Sequence, residues 1–187
     1  MNNYPNYLIH YGVKGQKWGV RRYQNEDGTY TNIGLKRRKM IDTHYKIAQE
    51  LSDKDYDLFT GNNKAHENRE GLKRTREIVD YVLDNHAKDV VMVSKNGAEV
   101  FISNQGKYWE AGWAARPKSK RKGTTSKNLK EAMSIVRKYN NAPIKAFILD
   151  ENIPSSNFAL KNGFEKTNKF VNIHGNKHRE YIYKKET

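Results

Sequence analysis

The sequence predicts a mixed α/β domain, built on a largely antiparallel twisted sheet flanked by helices, with a small basic appendage at its N-terminus. Three observations carry this. Residues 89–115 hold three apolar runs separated by Asn96-Gly97 and Gln105-Gly106, the pattern of an antiparallel meander. A helix, a strand, a short helix and two closing strands follow, and strand–helix–strand after a meander indicates a mixed sheet. Twelve Tyr, six Phe and three Trp supply large buried area, although only 36% of the 187 residues are hydrophobic. With a mean hydropathy of −1.01, the core is small for the length, and part of the chain is expected to lie outside it.

Residues 1–40 are aromatic, glycine-bearing and basic, with little apolar periodicity. Within them Val20–Asn32 reads as a short hairpin, because Asp27-Gly28 supplies the positive φ angles of a tight turn. The domain proper is placed at 41–187, helical over 41–88, with its core at 89–187. Ile41, Tyr45, Ala48 and Leu51 recur at helical spacing, as do Leu72, Ile78, Val79 and Val82, with a loop between them. After the meander, Leu129, Ala132, Met133 and Val136 mark one side of a helix expected to run through Tyr139. Ala142–Asp150 reads as a strand, Pro154–Asn162 as a short helix, and Gly163–Ile173 with His178–Glu186 as the closing strand pair.

Thirty-five Lys and Arg against twenty-one Asp and Glu leave a formal charge of +14. That field attracts nucleic acid, a polyphosphorylated cofactor or an acidic protein surface alike. The absence of Cys excludes disulfides, thiolate chemistry and Cys-ligated zinc. No apolar stretch reaches membrane-spanning length and the start lacks a signal-peptide layout, so a soluble intracellular protein without membrane partners is expected. Asp53, Asp55 and Asp57 open like a calcium loop, but Leu58 and Lys64 occupy its glycine and closing glutamate positions. His174 and His178 are four apart, yet Gly175 and Asn176 point to a turn, and no metal site is expected.

The run from Arg116 to Ala132 concentrates cations at the junction of a strand and a helix. Gly123 allows close backbone approach, and the first-turn N–H groups of the helix point the same way. Thr124, Thr125 and Ser126 add hydroxyls and a candidate N-cap, with Lys120, Arg121 and Lys122 beside them. The same residues fit a solvated basic loop ahead of a capped helix, and the run alone does not choose.

Downstream, Asn152, Ser155, Ala159, Lys161, Gly163 and Phe164 fall in the pattern N-x-x-S-x-x-x-A-x-K-x-G-F. This resembles the corresponding segment of GNAT-type N-acetyltransferases, in the branch acetylating ribosomal-protein N-termini and similar amines. Ala115, Pro117, Lys120, Gly123 and Thr125 stand where that family has V-x-P-x-x-R-x-x-G-x-G/A, one helix and one strand upstream. Lys120 departs from the usual Arg or Gln, and Thr125 from Gly or Ala. The resemblance covers roughly residues 70–185 and implies an acyl-CoA N-acyltransferase-like fold with acetyl-CoA as cofactor. It further implies that amides at Ala114, Ala115 and Arg116 contact the pantetheine arm, and that amides from Arg121 through Lys122, Gly123 and Thr124 to Thr125 cradle the pyrophosphate. Nearby cations would take the remaining phosphate. Catalysis needs a base for the acceptor ammonium and an acid for the leaving thiolate. Glu110 is the candidate base, sharing a strand face with Gly112 and Ala114, and a plain surface glutamate is its alternative. Ser155 matches the position of the acid, with Asn152 orienting the ligand. Ser155 also fits the N-cap of the following helix. Ala159 replaces the tyrosine acid of other relatives. The function implied is acetyl transfer to an amine, of a protein or a small molecule. The competing expectation is a non-enzymatic virion- or nucleic-acid-associated protein on the same fold.

His10–Thr31 is similar to a segment found in bacteriophage-encoded proteins of Gram-positive hosts. It implies residence in the cytoplasm of an infected bacterium or in the virion. Lys14, Lys17, Trp18, Arg21 and Arg22 form an aromatic–cation set suited to an acidic protein, a phage particle or nucleic acid. Equally, Trp18 and Tyr23 fit the small core of a hairpin.

Overall fold

The computed structural model describes residues 22–60, 64–68, 72–84, 88–120 and 122–184. Lys14, Lys17, Trp18, Arg21 and Arg121, candidates above, lie outside them. The chain divides into two compact units, Met1–Lys36 and Arg37–Thr187.

In the first unit the chain turns at Asn25–Gly28, but only Gly28, not Asp27, takes the positive φ expected of both, and the Gly28 N–H donates to the Asn25 carbonyl at 3.0 Å. Gly28 takes φ 83°, Asn25 N–H donates to the Thr29 carbonyl at 2.7 Å, and Gln24 and Tyr30 make a single antiparallel bridge. Helix α1 (Asn32–Glu50) begins inside the segment where no helix was expected. Its start has a local cause: the Thr31 hydroxyl accepts from the Gly34 N–H at 3.1 Å, an N-cap bond that the apolar pattern does not register.

The second unit holds the sheet. Its elements are α2 (Asp53–Thr60), α3 (Leu72–Leu83), β1 (Val90–Lys95), β2 (Ala98–Asn104), β3 (Trp109–Ala115), α4 (Thr124–Val136), β4 (Ile144–Leu149), α5 (Ile153–Lys161), β5 (Phe164–Ile173) and β6 (Asn176–Tyr183). The six strands run in the order β1-β2-β3-β4-β6-β5. All neighbours are antiparallel except β3 and β4. This is the mixed, largely antiparallel sheet expected from the sequence. Helix α2 falls within the segment read as helical, although no separate helix was placed there. Asp53 and Asp55, which imitate a calcium loop, instead supply negative charge to its first turn. Helix α4 ends at Val136, short of Tyr139, which stands exposed in the turn that follows.

The pleat sorts side chains onto two covered faces. On one, Val91, Val93, Val100, Ile102, Trp109 and Ala111 meet Leu129, Ala132, Met133 and Val136 of α4 and Ala159 of α5. On the other, Met92 packs with Met40, Ile41, Val79 and Leu83 of α1 and α3, and Ala114 with Ile47 of α1 and Leu51 just beyond its end. Two polar anchors hold the layers in register. The buried Asn128 amide donates to the carbonyls of Lys95 and Ala98 at 3.2 and 3.0 Å, tying α4 to the β1–β2 turn. The fully buried Trp109 indole donates to Asn140 Oδ1 at 2.7 Å.

Candidate active site

The site begins with a gap in the sheet. β3 and β4 pair through only two registers, Trp109 with Ile144 and Glu110 with Lys145. Beyond these, β3 stays paired with β2 as far as Ala115, while β4 stays paired with β6 as far as Leu149. Each strand follows its outer neighbour, and the two part. Below the opening, on the α4 face, the Trp113 ring packs against Phe158 and Phe164 at centroid distances of 4.8 and 5.8 Å.

The phase of the ladder decides which amides face the gap. The Asn96-Gly97 turn closes on the Lys95–Ala98 pair, with both turn residues at positive φ (53° and 74°). Hydrogen-bonded pairs alternate from there, and the Arg116 N–H donates to the Gly97 carbonyl at 2.9 Å. Ala114 and Arg116 therefore spend their amides on β2, contrary to the expectation that all of 114–116 face a ligand. Ala115 does face the gap, and so does Trp113, which sequence reasoning missed. With the β3–β4 ladder ended at Glu110, neither has a sheet partner. The Arg116 side chain is also committed, in a paired-nitrogen ion pair with Glu50 that holds the Glu50 carboxyl below its usual range.

The same open line continues into the loop. After a 3-10 turn at Pro117–Ser119, Gly123 takes φ 71° and serves as N-cap of α4. No side chain caps this helix, so Thr124, Thr125 and Ser126 are its first turn rather than its cap. Among the described residues no acceptor takes their N–H groups. A Cβ at Gly123 would meet nothing within 4 Å, so glycine is required there by its φ and the space above it is open. Lys122 is exposed and unpaired among the described residues, whereas Lys120 pairs with Asp55 of α2 at 3.2 Å.

On the α1–α3 face, a cleft of about 170 Å³ opens at the β3–β4 split, with Trp113, Phe147, Leu149 and Ile173 in its wall. Glu110 enters it from β3, half-buried. Its carboxylate has no hydrogen-bond or ion-pair partner among the described residues, and burial alone pushes its pKa up. Lys145, its neighbour in register, is drawn away to Glu180 at 2.5 Å and lies over the Tyr108 ring. Gly112 adds room, since a Cβ there would meet nothing within 4 Å.

Asn152 and Ser155 line the same cleft. The cap of α5 is Asn152, whose Oδ1 accepts from the Ser155 N–H at 3.2 Å. Ser155 is therefore not the N-cap, and it is among the residues that line the cleft. The structure thus brings Glu110, Asn152 and Ser155 to one cavity, and Ala115 and the 122–125 loop to the line leading from it. His178, buried on β6, also lines the cleft. The sequence signal for it lay in the strand register, not in the His174–His178 spacing. His174 sits instead in the β5–β6 turn at φ 51°. Among the described residues no group of three or more His, Asp or Glu could hold a metal ion, and no helix is long and apolar enough to cross a membrane.

Comparison with known proteins supports the architecture. Residues 1–25 match a family of unknown function, DUF7211. No curated protein matches the sequence. Among solved structures, the chain is similar to the GNAT domain of PAT from S. lividans, with TM-score 0.57 and 12% identity over 76% of this chain and 84% of that one. It is similar to the PaiA N-acetyltransferase of Thermoplasma acidophilum in complex with coenzyme A, with TM-score 0.57 and 16% identity over 76% and 92%. A GNAT-family acetyltransferase from Bacillus anthracis gives TM-score 0.54 and 16% identity over 78% and 87%. The fold is that of the acyl-CoA N-acyltransferases.

Proposed function

We propose that this chain is an acetyl-CoA-dependent N-acetyltransferase acting on an amine. The observation that supports this best is the continuity of unpaired backbone donors. Trp113 and Ala115 offer amides along the open strand edge, and Thr124, Thr125 and Ser126 offer theirs at the N-terminus of a thirteen-residue helix. Such a line suits a ligand with an amide-bearing arm leading to a pyrophosphate, and Lys122 adds a free cation at the phosphate end. Bound there, acetyl-CoA would supply an acyl thioester as the electrophile.

The chain's own residues divide the remaining work. Glu110 Oε takes a proton from the acceptor ammonium, and its desolvated setting raises its basicity toward that task. Ser155 Oγ is the hydroxyl in the cleft that can return a proton to a departing group. Asn152 fixes the first turn of α5 and with it the position of Ser155. The acceptor reaches Glu110 from the α1–α3 side, where α2 contributes Leu58 to the cleft wall.

The test is release of coenzyme A thiol from acetyl-CoA in the presence of a panel of primary amines, with acetylated product identified by mass spectrometry. Amine-dependent release that Glu110→Gln abolishes supports the proposal. A folded protein that neither binds coenzyme A nor releases thiol with any amine refutes it, and favours a binding protein that has kept the fold.

A further inference from the structure

Two titratable side chains line the cleft among its described residues, Glu110 and His178. The second has no part in the chemistry above. Its setting is nevertheless specific. Nδ1 lies 3.0 Å from the carbonyl oxygen of Asn176. A carbonyl only accepts, so Nδ1 carries a proton, and the tautomer this selects has its lone pair at Nε2. His178 is 4% exposed, and no side-chain nitrogen or oxygen sealed from solvent lacks a partner among the described residues. No partner is recorded for Nε2 among those residues. Nε2 therefore keeps some exposure, and the cleft that His178 lines is where a ligand could reach it.

The register fixes where that lone pair stands. Glu110 pairs with Lys145, and His178 pairs with Leu149, four residues further along β4. All four side chains point to the same face of the sheet. Two strand spacings across and four residues along put the Cα atoms of Glu110 and His178 roughly 16 Å apart. Allowing for the reach of the two side chains and a hydrogen bond of about 2.9 Å at each, a stem of several carbon atoms fits between them. The wall along this path is Phe147, Leu149 and Ile173, all apolar.

We propose that His178 determines acceptor specificity: its Nε2 receives a hydrogen bond from a second donor group, carried on an apolar stem several carbons from the amine held by Glu110. The acceptor class is then an amine with a distal O–H or N–H donor. A simple alkylamine leaves Nε2 unpaired on occupancy and is disfavoured. A small amino alcohol has this chemistry, and so does a peptide N-terminus in which an amide N–H beyond the first stands in as the second donor. This inference rests on the acetyltransferase reading for the role of Glu110, but the position of His178 stands apart from it.

The experiment uses the full chain and has two arms. The first follows the imidazole ¹⁵N signals of His178 without cofactor, during titration with linear amino alcohols of increasing length and with alkylamines of matched length. An upfield, hydrogen-bond-sized shift of Nε2 with amino alcohols of one preferred length, and none with matched alkylamines, is expected. An Nε2 that responds to neither series overturns the proposal, whether or not acetyl transfer occurs. The second arm compares kcat/KM for the two series and for a dipeptide amide. The hydroxyl is expected to confer a three- to tenfold preference, expressed in acceptor KM rather than kcat. His178→Phe, which keeps the bulk without the lone pair, is expected to erase it, and His178→Gln, which retains an acceptor, to restore part. A preference that persists in His178→Phe overturns the assignment. Preference for the dipeptide amide over the best amino alcohol would assign the second donor to a peptide group, and the reverse order to a small molecule.

Discussion

Gly97→Ala tests how the β1–β2 turn supports the cofactor loop. Gly97 stands at φ 74°, where a side chain costs about 1–2 kcal/mol. The new Cβ would also lie 2.4 Å from Ser119 Oγ and 3.2 Å from Arg116 Cδ. Overpacking of that kind adds about 1–3 kcal/mol, toward the low end if the hydroxyl rotates away. The expected total is about 2–5 kcal/mol, or a fall in Tm of roughly 4–20 °C for a unit of this size. Ser119→Ala removes the nearest atom, so the cost of Gly97→Ala in that background falls toward the backbone part, with the looser contacts to Arg116 Cδ and Ser119 Cβ at 3.2 and 3.3 Å remaining. Thermal and urea denaturation of the two single variants and the double variant measure this coupling. Because Ser119 lies in the turn that leads to Gly123, the single variant is also expected to weaken coenzyme A binding, and the double to recover it. A Gly97→Ala cost below about 0.5 kcal/mol, or an equal cost in both backgrounds, would refute the packing of this turn against 116–119.

Asn152→Ala removes the acceptor for the Ser155 N–H and should cost about 1 kcal/mol in denaturation. Asn152→Asp keeps an acceptor at the helix N-terminus and should cost nothing, so equal losses would remove the cap assignment. For Glu110, burial raises the carboxyl pKa, so the acid limb of kcat/KM should lie above the ordinary glutamate range and vanish in Glu110→Gln, with turnover down about 10²–10⁴-fold. The sign for stability is the opposite of an ion-paired carboxylate. The fold favours the protonated form, and stability is lost as pH rises through the raised pKa. Glu110→Gln should therefore be more stable than the parent at neutral pH and not in acid, and a loss at neutral pH would show that the carboxylate has a stabilising partner. Lys122→Glu should weaken coenzyme A binding, with a smaller penalty for a dephospho form lacking the ribose phosphate; equal affinity for the variant and the parent would exclude Lys122 from the phosphate site.

Much of the sheet was legible because its residues obey one rule each. Val90–Val93 and Val100–Ile102 are unbroken apolar runs, as strands covered on both faces require, and Asn96-Gly97 names its own turn type. The downstream motif was legible for a partly different reason than it first suggests. Ala159 is fully buried, Gly163 takes φ 85° with a Cβ position 3.1 Å from the Tyr183 ring, and Phe164 is in the core. Three of its six positions are therefore set by packing, and they report the fold more than the chemistry. Helix starts were the weak point. Thr31, Gly123 and Asn152 each begin a helix, and a cap is one hydrogen bond whose donor must be located in space. Helix α2 is eight residues, too short for apolar periodicity to mark its ends within the helical segment 41–88. The facing of the β3 amides needed the ladder phase, which the Asn96-Gly97 turn encodes but which a reading of side chains alone passes over. His178 needed the β4–β6 register, a pairing between residues distant in sequence.

Amide hydrogen exchange with and without coenzyme A tests the central claim most directly. In the free protein, Trp113 and Ala115 should exchange fast and Ala114 and Arg116 slowly, because only the latter pair bonds to β2. Coenzyme A should then protect Trp113, Ala115 and the first-turn amides Thr124, Thr125 and Ser126, leaving Ala114 and Arg116 unchanged. Exchange at these positions that does not alter at millimolar coenzyme A would contradict the account.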